Sequence, residues 1–245
     1  ANTNNFKIGD EVFGETGLVF SSNAEYVCMP TDGVILHKPS YLTFEEAAPI
    51  CDGALTSFNF LKDLGKIKAG QKVLINGASG GLGVAAIQIA KYMGAIVTGV
   101  CSTRNIALVQ SLGADKVIDY TKNDFTKKTE TYDIIYDTIG SSSYSKCKNV
   151  LSQNGIYMSP VLNMTLLFNM TTTSIFGKKK AIFQATGMRP ASDLKKMLVK
   201  LLSSFQQKKI KTIIDKRYSL DDAIKAHKYV DTGRKRGNVV LLTDN

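Results

Sequence analysis

Short apolar runs alternate, in the middle of the chain, with longer segments whose apolar residues recur at helical spacing. The runs predict parallel strands, and the amphipathic segments between them predict helices that cover both faces of one sheet. The predicted strands are Lys72–Asn76, Ala95–Val100, Lys116–Asp119, Tyr132–Asp137, Gly155–Ser159 and Lys180–Ala185. The predicted helices are Gly81–Met93, Asn105–Leu112, Ser143–Leu151 and Ser192–Gln207. Repeated β-then-α units joined by right-handed crossovers give an α/β fold with a doubly wound, Rossmann-type sheet.

The two ends of the chain show a different pattern. Phe6–Gly14 and Ala24–Pro30 are strand-like and are separated by turn residues. Ser219 has the chemistry of an N-cap for a helix that Gly233 ends, and Asn238–Leu242 forms a last strand. We therefore expect a second, β-rich domain built from both chain ends. The expected division is 1–46 for part of this domain, 47–190 for the Rossmann domain, and 191–245 for the last Rossmann helix and the return.

A glycine-rich loop joins the first strand of the sheet to the first helix. In the dinucleotide fingerprint G-x-G-x-x-G the glycine positions correspond here to Ala78, Gly80 and Gly83, so alanine replaces the first glycine. The second glycine admits the pyrophosphate, the third lets helix and strand pack closely, and the helix N-terminus favours the negative charge. The alternative is a purely structural turn, and no G-K-[ST] follows that would indicate a P-loop. The predicted phosphate-binding residues are Ala78, Ser79, Gly80, Gly81, Leu82 and Gly83.

The end of the second predicted strand of the sheet bears on the choice of nicotinamide. NAD-binding sheets usually place an acid there, about 20 residues after the loop, to bind the ribose hydroxyls. No Asp or Glu occurs between Asp63 and Asp115, and the strand runs into Cys101-Ser102-Thr103-Arg104. A guanidinium suits a 2′-phosphate, so the sequence favours NADPH over NADH. The alternative is that Arg104 is a solvated residue at a helix start.

Charge and composition narrow the class of protein. The net charge is +10, and basic clusters occur at Lys178–Lys180, Lys208–Lys211 and Arg234–Arg236, with no aromatic residues interleaved as a single-strand nucleic-acid platform would need. We interpret these runs as solvated surface. No apolar run is long enough to span a membrane, the start Ala1–Asn5 is polar and unlike a secretory signal, and the four cysteines form no CxxC pair. These features favour a cytoplasmic protein with reduced thiols.

Several segments together resemble the medium-chain dehydrogenase/reductase superfamily, in particular its zinc-free quinone oxidoreductase branch. The resemblance covers essentially the whole chain and is specific in combination. Its segments are Phe6–Gly14, Ala47–Pro49 with Leu55-Thr56, Val73–Gly83, Ser111–Tyr120, Tyr132–Asp137 and Gly237–Leu241.

The resemblance implies a GroES-like catalytic domain beside a Rossmann domain, with the cofactor in the cleft between them. It implies an NADPH-dependent reductase that transfers a hydride to a quinone, an enone or a 2-alkenal. Ser102, Arg104 and Tyr120 would surround the adenosine 2′-phosphate, Thr56 would lie near the nicotinamide, and Asn238 would return to the cofactor. It also implies a homodimer formed through the edge strand of the sheet.

The region 161–180 is apolar enough to line the interface of that homodimer and equally able to form part of the core, so both roles remain open. Zinc-dependent members insert a four-cysteine lobe after the Gly-Asp-Glu-Val segment, where this chain carries only Cys28. We expect no metal site, with His37 and His227 as ordinary surface residues and Cys51-Asp52 near a zinc-ligand position by coincidence.

The resemblance leaves the catalytic residues unassigned. Relatives carry a longer N-terminal segment before the Phe6-Lys7-Ile8-Gly9 match, and that segment supplies the usual substrate-side tyrosine or asparagine. We therefore expect this sequence to be a fragment, a truncated chain or a chain whose start is not included. An intact mass near 26.7 kDa would support a real truncation, and a higher mass would contradict it. The alternative function is a nucleotide-responsive binding or scaffold protein whose basic surface meets RNA or a partner.

Overall fold

The structure is a computed structural model that describes residues 6–17 and 22–243. The polar start Ala1–Asn5 lies outside the described residues. The strands are β1 Val12–Glu15, β2 Val34–His37, β3 Lys72–Asn76, β4 Ile96–Cys101, β5 Lys116–Asp119, β6 Tyr132–Asp137, β7 Leu151–Ser159, β8 Lys180–Phe183, β9 Ile214–Ser219 and β10 Asn238–Leu242. The α-helices are α1 Phe44–Ala47, α2 Gly53–Phe58, α3 Gly81–Tyr92, α4 Ile106–Ser111, α5 Tyr144–Cys147, α6 Met164–Phe176, α7 Ala191–Gln206 and α8 Ala223–Asp231.

The chain divides into two compact units, which we call the sheet unit, Ser57–Thr186, and the terminal unit, Ala1–Thr56 with Gly187–Asn245. The boundary at 56/57 lies ten residues after the predicted start of the Rossmann domain at 47, and the boundary at 186/187 lies four residues before its predicted end at 190. The terminal unit is built from both ends of the chain. The roles expected for the domains stay predictions.

The sheet unit contains a six-stranded sheet of order β5-β4-β3-β6-β7-β8 in which every pairing is parallel. This is the strand order of a doubly wound dinucleotide-binding fold, so the predicted fold class is confirmed. The central strands β3 and β6 read as nearly continuous apolar runs because both faces of such a sheet are covered. Val73, Leu74, Ile75 and Ile135 have no exposed surface.

The terminal unit contains two small strand pairs. β1 and β2 are antiparallel, with Val12 opposite His37, whereas β9 and β10 are parallel. Side chains join its distant parts: the Tyr41 hydroxyl donates to the carbonyl of Leu202 (3.1 Å), and the Thr212 hydroxyl donates to the carbonyl of Glu46 (2.7 Å). Segments separated by more than 150 residues therefore form one unit.

The ends of the chain depart from the predicted elements in several places. Ala24–Pro30 was expected to be a strand but has no regular structure, while β2 and β9 were not predicted. In Phe6–Gly14 only the part from Val12 onward is a strand. Ser219 precedes a short 3₁₀ turn, and its side chain makes no capping bond, so the expected cap is wrong. Gly233, with φ of 66°, follows the end of α8 as predicted, because glycine accepts the left-handed conformation.

The lysines of the 178–180 run are not all solvated. Lys180 Nζ donates to the carbonyls of Thr173 (2.7 Å) and Ser174 (3.2 Å) in the last turn of α6, and Lys179 Nζ donates to the carbonyl of Lys148 (2.6 Å). The last carbonyls of a helix lack intrahelical partners, and a cation there is favoured by the helix dipole. Two of the three charges in this run therefore stabilise helix ends, and among the described contacts only Lys178 is exposed without such a bond.

Candidate functional site

The glycine-rich loop follows β3 as predicted and begins α3. Gly77 has φ of 76°, so the tight turn usually made by the first fingerprint glycine occurs here one residue earlier. Ala78 is then free of the left-handed conformation and lies fully buried, with its N–H donating to the carbonyl of Val100 (3.0 Å). This explains how alanine can occupy the first glycine position of the motif.

The other two fingerprint glycines have different surroundings. A Cβ on Gly83 would lie 2.2 Å from the carbonyl oxygen of Gly77, so close packing of α3 on the loop requires glycine there. A Cβ on Gly80 would meet the protein only at 3.4 Å, also at the oxygen of Gly77. Gly80 is the N-cap of α3, has extended backbone, and no side chain caps the helix. Packing thus dictates Gly83, whereas the space at Gly80 is available to a ligand.

The ends of β4 and β5 bring the predicted 2′-phosphate residues to one edge of the sheet unit. Cys101 is opposite Asp119 in the parallel pairing, and the N–H of Tyr120 donates to the carbonyl of Cys101 (3.0 Å). Ser102, which follows β4, and Tyr120, which follows β5, therefore leave neighbouring strand ends. Arg104 is exposed in the turn after β4, and the ring of Tyr120 is also exposed.

An acid that sequence reasoning did not single out lies at this edge. Asp119 accepts hydrogen bonds from the hydroxyls of Thr103 (2.5 Å) and Thr121 (2.7 Å) and from the N–H of Thr121 (3.0 Å). These bonds, that from Thr103 first, lower the pKa of Asp119. The stretch without acids ends at Asp115, but the pairing of β5 with β4 places this carboxylate next to the β4 turn. Its oxygens are already engaged by neighbouring hydroxyls.

Asn105 is a second residue that the sequence did not indicate. It lies at the end of the turn after β4, is 4% exposed, and its Nδ2 donates to the Ser79 hydroxyl (2.8 Å). Its Oδ1 is buried and has no hydrogen-bond partner. The turn after β4 is thereby joined to the glycine-rich loop, a contact between segments 26 residues apart.

The buried carboxylate of Asp137 holds the ends of three strands together. It accepts hydrogen bonds from Asn76 Nδ2 (3.0 Å) at the end of β3, from the N–H of Ser142 (2.8 Å), and from the Tyr157 hydroxyl (2.9 Å) in β7. Burial, followed by the charge of Asp137, raises the pKa of Tyr157. A fully bonded carboxylate of this kind fixes the loop that follows β6 at the carboxyl edge of the sheet.

Two predicted cofactor residues belong to the terminal unit. Thr56 lies in α2, and its N–H donates to the carbonyl of Asp52 (2.9 Å). Asn238 begins β10, and both its N–H (2.8 Å) and its Nδ2 (3.0 Å) donate to the carbonyl of Ile213. The remaining predicted residues, Ala78–Gly83, Ser102, Arg104 and Tyr120, lie together in the sheet unit. The roles of all of them stay predictions.

The terminal unit contains a buried cysteine and two acids whose residue types could in principle bind a metal ion. Cys51 is buried, and burial, then the charges of Glu15 and Asp52, raises the pKa of its thiol. Burial likewise raises the pKa values of Glu15 and Asp52. In residues 6–17 and 22–243 no group of three or more His, Cys, Asp or Glu side chains is arranged to hold a metal ion. Over the same residues, no helix combines the length and the apolar character needed to cross a membrane.

The sheet order and the loop geometry define a protein of the Rossmann dinucleotide-binding class. A family model described as zinc-binding dehydrogenase matches residues 112–241. This match and the similarity to known relatives show that the chain belongs to this family. The family lies within the medium-chain dehydrogenase/reductase superfamily, with quinone oxidoreductases and enoyl reductases. The resemblance stated from the sequence is confirmed.

Curated relatives and solved structures agree on this family. A 2-methylene-furan-3-one reductase of Solanum lycopersicum is 32% identical over 96% of the chain, which spans 58% of that protein. The trans-enoyl reductase pgmF of Aspergillus terreus is 30% identical over 97% of the chain, which spans 70% of it. The structure of the quinone oxidoreductase from Coxiella burnetii superimposes with a TM-score of 0.85 at 29% identity, covering 97% of this chain and 73% of that one.

Proposed function

We propose that this chain is an oxidoreductase that binds NADPH and reduces a small quinone, enone or 2-alkenal. The observation that carries the proposal is the loop at Gly80, where the protein leaves an uncapped helix start and room that its own packing does not need. A backbone of this form binds a pyrophosphate through N–H groups and the helix dipole. The relatives support the reaction class, since they include a 2-methylene-furan-3-one reductase, a trans-enoyl reductase and a quinone oxidoreductase homolog.

The choice of NADPH rests on the edge formed by β4 and β5. Arg104 and Ser102 follow β4, and an arginine and a hydroxyl bind a phosphate through charge-assisted hydrogen bonds. The nearby acid Asp119 has its oxygens occupied by Thr103 and Thr121. A carboxylate engaged in this way is less available to bind a ribose 2′-hydroxyl, the contact by which acids select NAD.

In the proposed reaction each part of the chain has a limited task. Residues of the glycine-rich loop would hold the pyrophosphate, and Ser102, Arg104 and Tyr120 would hold the 2′-phosphate. When bound, NADPH supplies the hydride. The bonds of Asp137 to Asn76, Ser142 and Tyr157 keep the carboxyl edge of the sheet rigid, so that the loops after β3 and β6 present a fixed surface.

A cofactor titration tests the first half of the proposal. We expect the wild-type chain to bind NADPH at least tenfold more tightly than NADH in calorimetric titrations. Arg104→Ala should weaken NADPH by about 10- to 100-fold, the value of a charge-assisted hydrogen bond, and leave NADH nearly unchanged. Lys127→Ala is the matched control, since it removes one exposed positive charge elsewhere in the sheet unit. A preference for NADH would contradict the assignment of Arg104.

An activity assay tests the second half. NADPH oxidation is followed with a panel of p-quinones, small enones and 2-alkenals, and turnover with at least one class supports the reductase. Tight NADPH binding without turnover, accompanied by salt-sensitive RNA binding, would instead support a scaffold. Lys179 and Lys180 of one basic run are bound to backbone carbonyls, so their donors are less available to RNA.

We also propose a homodimer formed through β8 and α6. In the described residues β8 pairs only with β7, so its outer edge is open, and edge strands pair readily with another copy. The helix α6 that packs beside it exposes Met164, Phe168, Ile175 and Phe176. An apolar patch of this kind marks an interface. Sedimentation should give a dimer, and Phe168→Glu should yield monomers with an intact fold; a wild-type monomer at micromolar concentration would contradict this.

A further inference from the structure

The side chain of Asn105 is buried but poorly satisfied. Its Nδ2 donates to the Ser79 hydroxyl at 2.8 Å, while its Oδ1 is buried without any hydrogen-bond partner. A buried polar atom without a partner costs about 1–3 kcal/mol, so native structures rarely keep one without a reason. The single bond to Ser79 does not offset that cost fully. Folding stability alone therefore does not explain an asparagine at this position.

The bond to Ser79 has a directional consequence. A serine hydroxyl has one hydrogen to donate and accepts through its lone pairs. Because Asn105 Nδ2 is the donor to Ser79 Oγ, the hydrogen of that hydroxyl is left to point elsewhere. Ser79 is partly exposed and directly precedes the N-cap Gly80, at the helix start that the proposed function assigns to the pyrophosphate.

We infer that Asn105 is a positioning residue that makes Ser79 a hydrogen-bond donor to a phosphate of the bound dinucleotide. This inference rests on the proposed function and adds to it a residue outside the glycine-rich loop on which binding of the pyrophosphate depends. Asn105 acts through Ser79 and does not itself contact the phosphate. The chemistry it selects is an anionic oxygen, since a phosphate only accepts hydrogen bonds whereas a ribose hydroxyl can also donate them.

Substitutions of similar shape separate this role from a structural one. Asn105→Leu removes the donor and also removes the unpartnered acceptor, so it should weaken phosphate binding without lowering the melting temperature. Asn105→Asp keeps the shape but reverses the bond: the carboxylate accepts from Ser79, withdraws that hydrogen from the phosphate and adds a negative charge. Asn154→Leu, at an exposed position in β7, is the matched control.

The experiment measures dissociation constants for NADPH, ADP and adenosine by calorimetry, with melting temperatures of the same full-length variants. We expect Asn105→Leu and Ser79→Ala each to weaken NADPH and ADP by about 10- to 100-fold, the value of a hydrogen bond to a charged acceptor. The double variant should be no weaker than either single variant, because the two residues act through one bond. Asn105→Asp should weaken both ligands by at least about tenfold. Adenosine, which has no phosphate, should bind all variants equally.

Several results would overturn the inference while leaving the proposed function intact. Losses that add in the double variant would show that Asn105 does not act through Ser79. A similar loss for adenosine, or a melting temperature that falls in step with affinity, would show a general structural role. An Asn105→Asp chain that binds NADPH like wild type would show that Ser79 is the donor in this pair. A wild-type chain that binds neither NADPH nor ADP would instead overturn the proposed function.

Discussion

The two units of this protein treat their carboxylates in opposite ways. In the sheet unit the pKa values of Asp119, Asp124 and Glu130 are lowered, first by hydrogen bonds from Thr103, Thr126 and Lys116 respectively. In the terminal unit the pKa values of Glu15 and Asp52 are raised, first by burial. Each raised or lowered value is a statement about stability, because it measures whether folding favours the charged or the neutral form.

The two units differ in how well their carboxylates are compensated by hydrogen bonds and opposite charges. The acids of the sheet unit sit at strand ends and loops, where hydroxyls, lysines and backbone N–H groups meet them, so they stabilise the fold at neutral pH. The two acids of the terminal unit are partly removed from water with less compensation, which is the kind of environment found at reactive sites. The carboxylates of the sheet unit are thus stabilised in their charged form, whereas Glu15 and Asp52 of the terminal unit are destabilised in theirs.

The largest expected effect is within the sheet unit, in the glycine-rich loop. Gly83→Ala should lower the free energy of unfolding of the sheet unit by about 3 kcal/mol, because its Cβ would lie 2.2 Å from the oxygen of Gly77. Gly80→Ala is the control: with a nearest contact of 3.4 Å it should cost about 1 kcal/mol or less, yet weaken NADPH. Urea denaturation and calorimetry measure both, and equal costs for the two variants would contradict the division of roles.

A smaller effect is expected at the end of α6. Lys180→Met keeps the aliphatic stem but removes the ammonium that donates to Thr173 and Ser174, and should cost about 1 kcal/mol. Lys178→Met, two residues earlier and exposed, should change the unfolding free energy by less than about 0.5 kcal/mol. If both variants were neutral in urea denaturation, the run would be plain surface charge, as first expected.

The smallest effect is present at neutral pH and disappears in acid. Because the folded state raises the pKa of Glu15 above its ordinary 4.5, its contribution is fully present below that pH and is lost as pH rises through the folded pKa. Glu15→Gln should therefore raise the free energy of unfolding at pH 7 by less than about 1 kcal/mol, since the group is half-exposed, and leave it unchanged near pH 4.

Glu130 provides the opposite case in the sheet unit. Its pKa is lowered, first by the hydrogen bond from Lys116, so its contribution is present above 4.5 and is lost as pH falls through the folded pKa. Glu130→Gln should accordingly lower the melting temperature at pH 7 and have little effect in acid. Calorimetric scans of both variants from pH 3.5 to pH 8 (about one unit apart) measure this. Effects of the same sign at pH 7 would remove the contrast between the units.

The sequence predicted the parts of the fold that depend on local pattern. The bounds of β3, β5, β6 and β10 agree with the predicted runs, because each is a short apolar segment ended by a polar residue or glycine. Helix α6 was left undecided between core and interface. Its apolar and threonine residues lie all round the helix, so the sequence shows no clear amphipathic stripe.

The parts of the site that the sequence did not indicate depend on pairing between distant segments. Asp119 lies beside the β4 turn only through the register of β4 with β5, and Asn105 reaches Ser79 only because two loops meet at one sheet edge. Neither residue belongs to a motif with a fixed spacing. The glycine-rich loop could be predicted because its phosphate-binding residues form a motif of consecutive positions, 78–83.

The early turn at Gly77 has a consequence for how this loop can evolve. Since Gly77 supplies the left-handed turn, position 78 can carry a side chain, but Gly99 in β4 must then stay small: a Cβ on Gly99 would lie 3.2 Å from Ala78 Cβ and 2.5 Å from Val109 Cγ1. The methyl group of Ala78 thus requires that residue 99 in β4 has no side chain. A larger side chain at residue 78 would therefore be limited by the space beside Gly99, which lies outside the fingerprint.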